Sequence, residues 1–153
     1  MNINAEFRAL KQLSGLTSQH IADKFDVGLR TVQRYETEYE PRPEIMDYLR
    51  NIVADDTRYV EEVLDGIEDA IDESNEKMGV VRDPDAIRIP RYLNSHYYYR
   101  ANGADAIPYE RYTARLNRII SALILDDYEI EYEYYITAVS YTHLRAHETS
   151  LHL

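Results

Sequence analysis

The stretch LTSQHIADKFDVGLRTVQRYE, residues 16–36, decides how the chain is read. Apolar residues recur in it at helical spacing, twice, with a break between the two runs. Thr17 suits the N-cap of a helix over 18–25 that turns Ile21, Ala22 and Phe25 inward. Asp26, Val27 and Gly28 make a three-residue turn, in which Val27 is the aliphatic expected to be buried and to lock the angle. A second helix is predicted from Leu29 to about Glu38, pinned by Val32 and Tyr35. Two helices crossing at close range need a small residue, and Ala22 supplies it. Leu29, Arg30, Gln33 and Arg34 are left on the outer face of the second helix.

That pattern over residues 16–38 is a helix-turn-helix, whose second helix enters the major groove of duplex DNA by its N-terminal end. Arginine matches guanine O6 and N7, and glutamine matches adenine N6 and N7, each pair worth about 1–3 kcal/mol of discrimination. Leu29, Arg30, Gln33 and Arg34 are the expected base contacts, with Leu29 suited to a thymine methyl. Thr17, Ser18 and Gln19, at the start of the preceding helix, are the expected phosphate contacts. The plain alternative is that Arg30, Gln33 and Arg34 form an ordinary solvated face.

Outward from this stretch, Asn4 is read as the N-cap of a helix to Ser14, with Phe7, Leu10 and Leu13 inward and Gly15 closing it. Pro43 suits the first position of a fourth helix that buries Ile45, Met46, Leu49, Ile52 and Val53. A fifth helix is predicted over about 57–77, with Val60, Val63, Leu64, Ile67, Ala70 and Ile71 as one narrow apolar stripe. Residues 78–85 read as a linker containing Gly79 and Pro84. A strand follows over 87–92, demoted to an edge by Pro90. Asn94 or Ser95 then caps a short helix through Arg100, and Asn102-Gly103 marks a turn. Residues 109–125 form an amphipathic helix through Tyr112, Leu116, Ile119, Ile120, Leu123 and Ile124. From Tyr128 to Tyr135, Tyr128, Ile130, Tyr132 and Tyr134 alternate with glutamates, as in a half-buried strand. The predicted fold is mainly α. It has an N-terminal domain over 1–53, an acidic helix and linker over 54–85, and a small α+β domain over 86–138.

Ala22, Phe25, Val27, Thr31-Val32 and Arg34-Tyr35-Glu36 resemble the core pattern of the lambda-repressor-like, Xre-type DNA-binding domains. The resemblance spans residues 5–53 and implies a five-helix domain. Two positions depart from it: Asp26 stands where the family commonly has glycine, and Gly28 where it has a Ser or Thr cap. Asp tolerates a left-handed turn and Gly is an acceptable cap. The layout with an α+β C-terminal part resembles the small phage-type autorepressors associated with anti-CRISPR operons. It implies a homodimer that represses its own operon from a palindromic double-stranded operator, with half-site centres about 34 Å apart. The dimer surface is expected at Val60, Leu64, Ile67 and Ile71, and at Leu116, Ile120, Ile130 and Tyr132.

Charge and composition narrow the remaining classes. The net charge of −11 is the wrong sign for an indiscriminate nucleic-acid binder. Residues 1–53 carry 7 basic and 8 acidic side chains, whereas residues 54–85 carry 3 and 12, so the acidity avoids the N-terminal region. An antitoxin-like or phage inhibitory module that grips a basic partner through this acidic helix is the rival reading; a solvated outer face is the plain one. Tyr97, Tyr98 and Tyr99 with Arg91 and Arg100 suggest an RNA hairpin as a further partner, against the simpler reading as core packing. There are no cysteines, which removes thiolate metal sites and cysteine nucleophiles. No nucleophile–base pair or phosphate-cradling glycine loop is found, so neither enzymatic activity nor a cofactor is expected. His20 is read as a surface residue rather than a ligand.

The N-terminus lacks signal-peptide character and no stretch approaches the ~20 apolar residues of a membrane span, so a cytoplasmic protein is expected. Residues 139–149 resemble the translation of a transposon-type sequencing adapter, and 139–153 are read as a non-native tail. His143, His147 and Glu148 lie inside it, so no metal site is assigned to them.

Overall fold

The computed structural model describes residues 2–79 and 86–135. Its element order is α1 (Ile3–Ser14), α2 (Ser18–Phe25), α3 (Leu29–Arg34), α4 (Pro43–Met78), β1 (Ile87–Tyr92), α5 (Ser95–Asn102), α6 (Tyr109–Leu125) and β2 (Ile130–Tyr135). Among the described residues the chain is mainly helical with one two-stranded parallel sheet. It divides into two compact units: Met1–Glu61 with Glu110–Arg115, and Glu62–Tyr109 with Leu116–Leu153. The 139–153 tail and most of the 78–85 linker lie outside the described residues. Among the described residues, no helix is long and apolar enough to cross a membrane.

In the N-terminal unit the caps fall close to their expected places. Asn2, not Asn4, caps α1, its Oδ1 accepting from the amides of Asn4 (3.0 Å) and Ala5 (3.1 Å). Asn4 sits inside the helix and donates Nδ2 to the carbonyls of Tyr35 (2.9 Å) and Tyr39 (2.7 Å). Gly15 ends α1 at φ 73°, and a Cβ there would lie 2.4 Å from the Glu110 carbonyl oxygen. Only glycine satisfies both the left-handed backbone and this close approach of α6. Thr17 caps α2 by accepting from the His20 amide (3.0 Å), and Asp26 takes the left-handed conformation at φ 52°. The inward face of α1 runs Ile3, Phe7, Leu10, Ser14, so Leu13 falls off it and stays 49% exposed, against expectation.

The core joins Phe7, Leu16, Ile21, Ala22, Val32, Tyr35, Ile45, Met46, Leu49 and Ile52. Phe7 meets Tyr35 edge-on at 5.6 Å, fastening α3 to α1. The helix α3 stops at Arg34, four residues short of the expected end. Glu38 and Tyr39 both donate their amides to the Arg34 carbonyl (2.8 and 2.9 Å), while Asn4 takes two further carbonyls of this turn.

The expected break between a fourth and a fifth helix is absent: α4 runs unbroken for 36 residues. Residues 54–56 hold no glycine or proline, and Thr57 donates its hydroxyl back to the Val53 carbonyl (2.8 Å) instead of capping a new helix. Asp56, one of the acids expected to be solvated, is 1% exposed.

In the C-terminal unit, β1 and β2 pair in parallel from Ile87 opposite Ile130 to Tyr92 opposite Tyr135. Ile87 and Ile89 are buried, and Arg91 on the same face donates Nη1 to Asn117 Oδ1 of α6 (3.0 Å). Asn94 caps α5 through its contact with the Tyr97 amide (3.3 Å). The stripe of α6 buries Tyr112, Leu116, Ile119, Ile120 and Leu123, but leaves Ile124 exposed. The alternation in β2 does not produce the expected half-burial. Tyr132 and Tyr134 are 55% and 64% exposed, and Tyr135, on the other face, is the buried residue. Among the described residues the sheet has two strands, α6 is tied to β1 through Arg91 and Asn117, and the face of β2 that carries Tyr132 and Tyr134 is open.

Candidate functional site

The short helix α3 is held from beneath and open above. Val32 has no exposed surface and Tyr35 almost none, which fixes the roll of the helix about its axis. Leu29, Arg30 and Gln33 are exposed on its outer face. Among the described residues, the Arg30 guanidinium and the Gln33 amide make no hydrogen bond or ion pair. Other basic groups of the N-terminal unit are committed internally. Lys11 lies 3.8 Å from Glu36, Arg42 pairs with Glu44 (2.6 Å), Arg50 with Glu6 (2.8 Å), and Lys24 sits over the Tyr48 ring at 4.9 Å.

Arg34, grouped with the base contacts on sequence grounds, differs from Arg30. Its Nη1 donates to the Tyr39 hydroxyl (2.6 Å), and its guanidinium carbon lies 5.4 Å from the Tyr39 ring centre. Of the three expected phosphate contacts, Thr17 uses its hydroxyl as the cap of α2, and Gln19 donates its side-chain amide to Asp23 (2.7 Å). Ser18 is half-buried in the first turn.

His20, one turn into α2, stacks on Tyr48 with ring planes 21° apart, and its Nε2 lies 2.9 Å from the Tyr48 hydroxyl. Burial, and then the nearby Lys24, hold its pKa below the usual imidazole value. Burial likewise pushes the Tyr48 hydroxyl up. Among the described residues, no group of three His, Asp or Glu is placed to hold a metal ion.

The eight residues expected at a dimer surface separate into two sets. Val60, Ile67, Leu116 and Ile120 are buried within a single chain. Leu64, Ile71 and Ile130 are half-buried and Tyr132 is exposed. Ala70, placed in the same stripe, is exposed. The tyrosine run of α5 is mostly internal: Tyr98 is buried and donates its hydroxyl to the Ile107 carbonyl (2.7 Å), while the Tyr99 hydroxyl accepts from the Tyr109 amide (3.0 Å).

Two groups escaped the reading of the sequence. One is Tyr39 together with Asn4, described above. The other is an ion cluster: Arg111 holds Asp56 in a two-pronged contact (2.7 and 3.0 Å), Arg115 approaches it to 4.0 Å, and the Arg115 guanidinium lies 3.8 Å from the Tyr59 ring centre. A signal for this cluster existed. Asp56 continues the inward series Ile52, Asp56, Val60 at four-residue spacing, where a solvated acid does not belong. No protein-family model and no curated protein matches the chain.

Proposed function

We propose that residues 16–38 act as a helix-turn-helix of the lambda-repressor-like type, and that the protein is a homodimeric, sequence-specific repressor on double-stranded DNA. The observation that carries this reading is the outer face of α3. Leu29, Arg30 and Gln33 stand outward on a helix whose opposite side is locked by Val32 and Tyr35. Donors held on a rigid element, with no internal partner to surrender, lose little on binding. Arg30 and Gln33 are one turn apart, the spacing that lets two side chains of one helix address neighbouring base pairs.

The N-terminal unit has little net charge, so phosphate attraction alone gives weak binding. Two copies on a palindrome supply the missing contacts, and Leu64, Ile71, Ile130 and Tyr132 are the dimer residues with surface left to offer. The Tyr132 ring stands on the open face of β2, next to exposed Tyr134.

The test is selection from a randomised duplex pool with the full chain. A palindromic consensus is expected. Arg30→Ala should then relax one position in each half-site, at a cost of about 1–3 kcal/mol, with the melting temperature unchanged. Equal weakening on all sequences would make Arg30 a phosphate contact, and failure to enrich any sequence defeats the reading.

A further inference from the structure

We infer that Tyr39 is a positioning residue for Arg34, and that Arg34 so held contacts a DNA phosphate rather than a base edge. This rests on the reading of α3 as a DNA-recognition helix. Arg34 is the last residue of α3, at the end opposite the one that meets base edges in a helix-turn-helix. It is also the arginine that follows Arg30 by four residues, so the two like charges share one face. The Tyr39 hydroxyl takes one nitrogen of the guanidinium at 2.6 Å and the ring lies against its carbon at 5.4 Å. Those contacts engage Nη1 and leave Nε and Nη2 for a ligand. A planar guanidinium with two free donors fits phosphate oxygens in a two-pronged contact.

Tyr39 is itself held, although the residue is 41% exposed. Its amide donates to the Arg34 carbonyl (2.9 Å), and its carbonyl accepts from Asn4 Nδ2 (2.7 Å). Asn4 binds the Tyr35 carbonyl as well (2.9 Å), so the first turn of α1 fixes the backbone that carries the tyrosine. A long side chain left to itself loses rotamer entropy on binding. Here the loss is taken during folding, and Arg34 meets DNA already oriented.

The test uses the duplex most enriched by the full wild-type chain, with affinity measured across a salt series. Arg34→Ala should lower the slope of log K against log[salt] by about one and weaken all sequences alike. Tyr39→Phe keeps the ring and removes the hydroxyl. It should weaken binding roughly fivefold, with the melting temperature unchanged. The double variant should be no weaker than Arg34→Ala alone, because both changes remove one contact. Additive losses, or Tyr39→Phe binding like wild type while Arg34→Ala is weaker, would overturn the positioning role. Loss of discrimination at a single base with Arg34→Ala would overturn the phosphate assignment. In either case a relaxed position with Arg30→Ala leaves the DNA reading standing; a pool that enriches nothing overturns both.

Discussion

The two units of this protein handle buried polar groups in opposite ways. The N-terminal unit has a core of aliphatic side chains joined by Phe7 and Tyr35 and, among the described residues, one deeply buried charge, Asp56, matched by the fork of Arg111. The C-terminal unit is built on tyrosines whose hydroxyls are spread among separate partners: Tyr98 to the Ile107 carbonyl, Tyr99 to the Tyr109 amide, Tyr92 to the Asn102 side chain. A buried ion stakes much on one contact, because each charge is costly to leave unpaired. Neutral hydroxyls stake little on any one, because each net hydrogen bond is small. The first unit should therefore fail abruptly at a single position and the second by degrees.

The largest effect is expected at that single position. Asp56→Ala leaves Arg111, whose side chain is only 16% exposed, without its anion, and should cost about 3–5 kcal/mol in urea unfolding. Replacing both partners, as Asp56→Leu with Arg111→Met, should recover most of the loss. A double variant as unstable as the single would show that the ion pair is not the cause. In the C-terminal unit, Tyr98→Phe removes one donor to the Ile107 carbonyl and should cost about 1 kcal/mol. A loss as large as that of Asp56→Ala would erase the contrast between the units.

The smallest effect is a pH dependence. The folded state favours neutral His20, so its pKa lies below the 6.5 of an unperturbed imidazole. Its contribution is whole above that unfolded value and is lost as pH falls through the lower, folded one. His20→Gln should flatten this decline in a pH series of unfolding midpoints. The ring is only half-buried, so solvent screening keeps the effect modest.

Helix positions and caps were legible because their causes are local. Thr17, Gly15, Pro43 and Asn94 act on residues within one turn of themselves, and the two inward faces around the Asp26–Gly28 turn follow from spacing alone. The misreadings were non-local. The end of α3 depends on Asn4, 31 residues away from Tyr35. The unbroken course of α4 past Asp56 agrees with a partner 55 residues on. Strand β2 carries an alternating pattern, yet alternation states only that two faces differ, not which face finds a covering layer.

The candidate site shows the same limit within six residues. Sequence patterning marks Arg30, Gln33 and Arg34 as equivalent outward polar groups on one helix. The structure separates them: Arg30 and Gln33 remain uncommitted, whereas Arg34 is held by Tyr39, which no helical spacing connects to it. Residues 16–38 determine that there are two helices, a tight turn and an outward polar face, since periodicity and capping are properties of neighbours in the chain. Which of those polar groups stays free, and which acid is buried, depends on what distant segments bring against them, and only tertiary packing decides that.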